Sequence, residues 1–528
     1  MSDQRESVRS NAMYLRQVRP IDPDEICEYV DGNPHPAVVR QHLRELAPEL
    51  EVIERDDGTF VPVPDEPATP MRGPVETLPS RYERRLEDLL VERYGANWHD
   101  DATGDLLRST IRRFKERYLE GRPVEYDDDV AAGYAIYHLP AYYAAVQYAL
   151  DDLAERGLVG RSLRVLDVGA GVGGPALGLA DYLPEDALLE YHAIEPSAAA
   201  DVLEALLAET GRNVHPTIHR TTVEAFDPDT VVDGDDERDG FDPTAPDEGF
   251  DLVLACNVLS ELAEPTATMR SLLELLAPDG TALAMAPADK HTSVQLREVE
   301  RDLEDDRLWA ADELVGTAVE PDGELRDEDG EVDDQYGRVT VYGPAVRLWP
   351  GERPSGRGWS FDVRPDLGVP SFQRKLEEAA PQADDEHTPG EFVNVDVQFS
   401  YSLLRLDGQR RIDVELEPAD WARMAEMDRH VTNRIDLVAA KLSRSLSDGG
   451  GGADGRDDRT NPLFRISDGS EAVDHYAVVT NETALNRALL EADYGELCSF
   501  ESALALWNDD EEAYNLVVDE ETVVDRIG

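Results

Sequence analysis

The stretch Arg164-Val165-Leu166-Asp167-Val168-Gly169-Ala170-Gly171-Val172-Gly173-Gly174-Pro175 restricts the possible folds more than any other part of the chain. Val165, Leu166 and Val168 form an apolar run suited to a strand covered on both faces, and that run leads directly into glycines. Gly169 and Gly171 permit positive φ and let a ligand approach the backbone, while residues 176–183 have the composition to carry the next helix. Strand, glycine turn and helix in this order form a nucleotide-site signature.

The following segments specify which kind. Leu188-Leu189-Glu190-Tyr191-His192-Ala193-Ile194-Glu195 reads as a second strand ending in a carboxylate, where an acidic side chain can accept hydrogen bonds from both ribose hydroxyls; a solvated strand end is the alternative. Residues 214–218 read as a short third strand and Phe250-Asp251-Leu252-Val253-Leu254-Ala255-Cys256-Asn257 as a buried fourth. Thr281-Ala282-Leu283-Ala284-Met285 is a fifth, after a turn at Leu276-Ala277-Pro278-Asp279-Gly280. Strands in this order, with helical patterns between them, predict an α/β, doubly wound, Rossmann-like parallel sheet whose ligands sit at the carboxyl ends of the strands. The loop lacks the Gly-x-Gly-x-x-Gly spacing that seats a pyrophosphate. Its Asp-x-Gly-x-Gly-x-Gly spacing resembles the first motif of class I S-adenosylmethionine (SAM)-dependent methyltransferases. That resemblance makes Asp167, Gly169, Gly171, Gly173, Glu195 and Asn257 the cofactor-binding candidates and SAM the expected cofactor.

Charge bears on partners. Asp and Glu number 113 against 50 Lys and Arg, a net charge of −63, and the acids are spread over every segment. Lys115, Lys290, Lys375 and Lys441 are the only lysines. Such a surface resembles that of proteins working in molar salt, where the screening length is about 3 Å and long-range repulsion of nucleic acid largely vanishes. Charge therefore leaves an RNA partner open. Cys27, Cys256 and Cys498 lie far apart, which points to neither a disulfide framework nor a thiolate metal site and fits a reducing cytoplasm. No apolar run reaches the ~20 residues of a membrane helix, and Met1-Ser2-Asp3-Gln4-Arg5-Glu6 does not read as a signal peptide, so no membrane partner is expected.

Residues 1–70 read as a winged-helix-like module, with helices over 21–30 and 35–46 and a hairpin turning at Asp56-Asp57-Gly58. Arg40, Gln41 and Arg44 are expected on the exposed face of its second helix, serving a nucleic-acid reader or a protein-interaction module of the same shape. A proline-bearing linker at 62–79 leads into a helical segment over 71–158. There Arg108, Arg112, Arg113, Lys115 and Arg117 form either a phosphate-meeting patch or a solvated face. The methyltransferase-like domain is expected over 159–447, with acidic loops at 227–248 and 320–335, strands at 392–406 and 411–416, and a long helix at 418–446. A glycine-rich linker then precedes a small β-rich module over 462–528, either an oligonucleotide-binding barrel or a docking module.

Tyr134-Ala135-Ile136-Tyr137-His138-Leu139-Pro140-Ala141-Tyr142-Tyr143-Ala144-Ala145-Val146 precedes the glycine loop, and Asn257-Val258-Leu259-Ser260-Glu261-Leu262 follows the fourth strand. Together with Val165-Leu166-Asp167-Val168-Gly169-Ala170-Gly171, these motifs resemble the mitochondrial small-ribosomal-subunit methyltransferase-like assembly-factor family over roughly residues 125–287. The resemblance implies a class I methyltransferase fold and association with the small ribosomal subunit or its rRNA. It also implies an iron-sulfur cluster in the insertion after the fifth strand. Residues 290–391 contain no cysteine, however, and such a cluster needs about four thiolates, so none is expected here. Trp349, Pro350, Trp359 and Phe361 offer an apolar patch in its place.

Methyl transfer from a sulfonium needs positioning more than acid–base chemistry, consistent with a sequence that offers no triad. Asn257 is the catalytic candidate, standing where amino-directed methyltransferases bind an exocyclic amine; the alternative is a helix cap for residues starting near Ser260. The sequence thus predicts a SAM-dependent methyltransferase or methyltransferase-like protein acting on small-subunit rRNA or in subunit assembly. An inactive SAM-binding assembly factor and a small-molecule methyltransferase are the alternatives.

Overall fold

The computed structural model describes residues 2–527 apart from 31, 120–121, 232–240, 242, 244–248, 310–336, 357–358, 382–386, 415 and 450–460. The expected acidic loops and glycine-rich linker therefore fall largely outside the described residues. The chain forms two compact units, each assembled from separated segments: residues 1–242, 248–256 and 365–397 in the first, and 243–247, 257–364 and 398–528 in the second.

The first unit opens with helices α1 (Ser2–Arg16), α2 (Pro23–Ile26), α3 (Pro36–Glu45) and α4 (Ala47–Leu50) and the hairpin β1 (Val52–Glu54) and β2 (Phe60–Pro62). Val39 and Leu43 of α3, Ile21, Ile26 and Phe60 close one apolar core with Val8 and Ala12 of α1. Helix α1 was not anticipated. Arg40 and Gln41 are exposed on α3 and Arg44 partly so, as expected, and both arginines also face the buried Glu54 carboxylate, Arg44 Nη2 donating at 3.0 Å and Arg40 Nε lying at 3.8 Å.

Residues 62–79 are not a free linker. Ala68 N–H donates to Val159 O (2.8 Å), Met71 N–H to the Asp151 carboxylate (2.6 Å) and Val75 N–H to Tyr148 Oη (3.0 Å), which straps the segment along the helical region. Helices α5 (Ser80–Tyr94), α6 (Asp101–Leu119) and α7 (Asp128–Ala154) follow. The basic residues of α6 serve packing. Arg112 holds Glu391 through two bonds of 2.6 and 2.7 Å, Arg108 is buried and donates to His99 O and Leu376 O, and Lys115 donates to Tyr137 Oη. Arg113 is exposed, as the solvated reading expects, whereas Arg108, Arg112 and Lys115 are held by partners within the unit. Helix α7 runs through Pro140 as one element, capped by Asp127.

Strands β3 (Ser162–Val168), β4 (Leu188–Ile194), β5 (Val214–His219) and β6 (Phe250–Cys256) stand in the order β5-β4-β3-β6, all parallel. Helices α8 (Gly174–Tyr182) and α9 (Ala199–Leu207) lie in the first two crossovers. The chain runs outward from β3 to β5 and then returns to β3's other side with β6. The crevice beyond the carboxyl ends of β3 and β6 is therefore a topological switch point. Residues 365–397 rejoin this unit with the helix Ser371–Glu378, whose fully buried Gln373 donates to Ile136 O at 2.8 Å.

In the second unit, helices α10 (Pro265–Leu273) and α11 (Lys290–Leu303) accompany β7 (Leu276–Pro287), β8 (Thr340–Gly343), β9 (Asp362–Arg364) and β10 (Val397–Arg405). The expected turn at Pro278-Asp279-Gly280 is part of β7. Strand β10 lies antiparallel between β7 and β8, so its partner on the far side is β8 and not residues 411–416, whose described part is not a strand.

The long helix expected over 418–446 is not formed. A 3-10 turn over Met424–His430 leads through Thr432, at φ 67°, into β11 (Arg434–Lys441). Its inward residues Leu437 and Ala439 join a closed apolar core, and this burial outweighs helix propensity. With β12 (Leu463–Ser467), β13 (His475–Val479), β14 (Leu497–Asn508), β15 (Ala513–Val518) and β16 (Val523–Ile527), the order is β11-β12-β13-β15-β14, closed by β11 pairing with β14, with β16 beside β14. Strand β13 pairs parallel with β15; the other pairings are antiparallel. A closed five-stranded barrel of this order has oligonucleotide-binding-fold topology, and it begins at Arg434, well before the expected boundary at 462.

Candidate functional site

Five of the six candidates converge in the first unit. Gly169, Gly171 and Gly173 all adopt positive φ (66°, 55° and 93°), which bends the chain sharply between β3 and α8. Gly169 N–H donates to Ile194 O at 2.9 Å, tying the turn to the end of β4. Gly173 caps α8, where a Cβ would stand 2.6 Å from Leu203 Cδ1 of α9. At Gly171, by contrast, a Cβ would have only the Gly169 carbonyl oxygen nearby, at 3.8 Å. The loop is thus packed on one side and open above Gly171.

Glu195, directly after β4, fixes the open part. One carboxylate oxygen accepts from Gly171 N–H (2.8 Å) and the other from Ser197 N–H (2.9 Å), with the side chain almost wholly buried. Each oxygen retains a lone pair, so Glu195 can orient the loop and still receive a hydroxyl. Asp167, fully buried on β3, accepts from Tyr191 Oη at 2.6 Å through Oδ2, while its Oδ1 has no hydrogen-bond partner among the described residues. Burial raises its pKa to about 7; the Tyr191 hydroxyl opposes the shift and the Glu195 charge adds to it.

This shift has a measurable consequence. The folded pKa lies above the unfolded value, so the folded state keeps a proton that the unfolded chain releases. Stability should fall as pH rises from about 4 to about 7 and stay lowered above that. Asp167→Asn, which can still accept from Tyr191, is expected to flatten this part of a Tm-versus-pH curve by on the order of a few kcal/mol. Equal slopes in both proteins would mean that Asp167 is ionised throughout.

Beside the loop lies an aromatic stripe on α7. Tyr134, His138 and Tyr142, spaced i, i+4 and i+8, share one helix face and are half-buried. His138 stacks on Tyr142 with centroids 5.1 Å apart and a 10° angle, and Tyr134 tilts against His138 at 4.6 Å. A Cβ on Gly174 would stand 2.8 Å from Tyr142 Cβ, which places the stripe against the start of α8. Burial and the Lys115 ammonium push the His138 pKa down to about 3, leaving a neutral ring among tyrosine faces. Such a surface suits a flat or cationic ligand. The i, i+4, i+8 spacing is the signal available in the sequence.

Asn257 belongs to the second unit and lines a pocket of about 220 Å³, with Ser260, Met285, Thr292 and Gln295 among its other walls. Its backbone takes φ 60° and its N–H donates to Met285 O at 2.9 Å. It is not a helix cap. The 3-10 helix Leu259–Glu261 has Val258 at its N-cap position and no side-chain cap bond. Asn suits the position because it tolerates the left-handed region better than other side-chain-bearing residues. The expected apolar patch divides: Trp359 stacks on Phe361 at 5.5 Å, whereas Trp349 donates to Asp468 at 2.8 Å.

Three families match parts of the chain. Residues 5–56 match the N-terminal domain, and residues 425–527 the C-terminal domain, of a domain of unknown function, DUF8157. Residues 166–282 match a methyltransferase domain. No curated protein matches. Among solved structures, a SAM-dependent methyltransferase from Clostridium acetobutylicum is 14% identical over 31% of this chain and 55% of its own, with a TM-score of 0.20. The mitomycin 7-O-methyltransferase MmcR is 16% identical over 54% and 76%, with a TM-score of 0.20. A putative SAM-dependent methyltransferase from Methanococcus maripaludis is 12% identical over 34% and 73%, with a TM-score of 0.24. This chain thus spans little more than half the length of the first of these. The matched domain covers the glycine loop, Glu195 and strands β3 to β6 and runs into β7, so the central part of this chain is similar to a methyltransferase domain and carries a class I SAM methyltransferase-like Rossmann sheet.

Proposed function

We propose that this protein is a SAM-dependent methyltransferase acting on RNA of the small ribosomal subunit during its assembly. The cofactor reading is carried by the open space above Gly171 combined with Glu195, which holds the loop amide and keeps acceptor capacity for a ribose. The group fits these residues: Gly169 and Gly171 admit close approach, and the unpartnered Asp167 Oδ1 offers a further acceptor behind the loop. SAM supplies an electrophilic methyl group on a sulfonium. The chain's residues hold it, exclude water and orient an acceptor, without a general base of their own.

The RNA acceptor is supported by the barrel's oligonucleotide-binding-fold order. The small-subunit assignment rests on the sequence resemblance. A scaffold that binds SAM without transferring methyl groups is the second reading, favoured by the backbone role of Asn257 and by the absence from the sequence of a Pro-Pro-aromatic element after it.

Asn257 separates the two. Asn257→Gly keeps the left-handed backbone and removes the side chain, so its Tm should stay near wild type, whereas Asn257→Ala should cost about 1 kcal/mol. If the amide binds the acceptor, both variants should lose about 100-fold or more in methylation of small-subunit RNA with SAM affinity unchanged. Full activity in Asn257→Gly removes the catalytic role. Wild-type protein that binds SAM in molar KCl yet transfers no methyl group to small-subunit RNA leaves the scaffold.

A further inference from the structure

A polar cavity of about 390 Å³ in the second unit is lined by residues of α11, β12 and the segments around Ser355 and Tyr494. Three arginines, Arg297, Arg301 and Arg465, line it in a chain where acids outnumber bases 113 to 50. Arg297 is committed elsewhere: it pairs with Glu300 and donates to Tyr401 O. Glu300 also binds Arg347 at 3.1 Å, and Arg347 binds Glu304 at 2.9 Å, so these four buried groups balance.

Arg301 makes no ion pair among the described residues, and Arg465 is paired with Asp474 through Nη2 alone. Arg301, half-buried, donates through Nη1 to Ser355 O at 3.3 Å; burial lowers its pKa against the opposing charges of Glu300 and Glu298, and the Arg297 charge lowers it further. Arg465 is 7% exposed; its Nη2 lies 3.1 Å from Asp474, while its Nε–H is buried without a partner among the described residues. Across the cavity, the Ser360 and Tyr494 hydroxyls share one hydrogen bond of 2.9 Å, which leaves one of their two hydrogens available. The facing acid Glu471 accepts from Ser467 Oγ (2.6 Å) and Gly469 N–H (3.1 Å), and burial, with the Asp468 charge, raises its pKa to about 7.

We propose that this cavity binds the phosphate group of a small phosphate-bearing molecule, with Arg301, the Arg465 Nε–H and the Ser360–Tyr494 hydroxyl pair as its donors. A planar guanidinium matches a tetrahedral oxyanion, and an unpartnered buried donor gains a full charge-assisted hydrogen bond when the anion enters. The site lies outside the methyltransferase match at 166–282 and does not depend on SAM.

Titration calorimetry of the full chain with inorganic phosphate, sulfate and adenosine monophosphate in molar KCl tests this. The wild type should give saturable heat with at least one phosphate probe, weakened at least about tenfold by Arg301→Gln and by Arg465→Gln. Arg301→Lys, which keeps the charge, should lose less. Tighter binding of the monophosphate would make the organic moiety part of the ligand; equal affinity would assign the anion alone. Half-exposed Arg301 lets Arg301→Gln remain folded, as a melting curve will show, even if Arg465→Gln does not. Absence of saturable heat in folded wild type, or unchanged affinity in folded Arg301→Gln, overturns the proposal.

Discussion

Gly171→Arg should abolish SAM binding, with a loss of at least about 100-fold by calorimetry in molar KCl, while the protein remains folded. The substituted side chain would grow into the open space above the loop, where a Cβ has nothing closer than the Gly169 carbonyl at 3.8 Å. The φ of 55° adds a backbone cost of about 1 to 2 kcal/mol for a residue with a Cβ. Gly171→Asn separates the two effects, because Asn accepts that φ and is too short to fill the space. Gly171→Asn should therefore retain most of the affinity and of the Tm. Unchanged affinity in Gly171→Arg would show that the methyl donor does not lie over this loop.

A large loss of stability is expected from Gly178→Ala in the middle of α8. A Cβ there would stand 2.3 Å from Tyr143 O and 2.4 Å from Val146 Cγ1, and the first of these is backbone that cannot swing aside. Helices α7 and α8 are also tied through Asp181, which accepts from Tyr143 Oη of α7 at 2.9 Å, so the pair cannot spread without breaking that bond; Tyr82 Oη of α5 reaches the same carboxylate at 3.0 Å. Overpacking of this kind costs about 3 kcal/mol or more, or roughly 6 to 12 °C in Tm for a unit of this size. Gly211→Ala is the control: no atom lies within 4 Å of a Cβ there, and its Tm should match the wild type. Equal melting of the two variants would mean that α8 does not press on α7 as described.

What the sequence revealed followed from local physics. The β3–loop–α8 unit was legible because glycines at left-handed positions and a doubly covered strand leave a compositional trace within a dozen residues. Glu195 was legible as a strand-end carboxylate; its bond to Gly171 N–H was not, because that contact joins residues 24 apart. The long helix over 418–446 failed for a related reason. Helix-forming residues dominate the segment, yet Leu437 and Ala439 find their partners in β14, about sixty residues onward, and burial there outweighs local preference. The basic residues of α6 misled similarly, since Glu391, which neutralises Arg112, lies 279 positions away.

That last distance has a consequence for how the protein is made. The first unit is complete only when residues 365–397 arrive, after the chain has left it at Cys256 and laid down more than a hundred residues of the second. At ordinary translation rates this interval is roughly ten seconds, during which the α7 carbonyl of Ile136 lacks Gln373 and Arg112 lacks its carboxylate. A nascent chain paused in that interval should therefore be protease-sensitive around α6 and α7 and a substrate for holdase chaperones. Expression of residues 159–447 alone would omit α6 and α7, leaving the helix Ser371–Glu378 without the groups it binds.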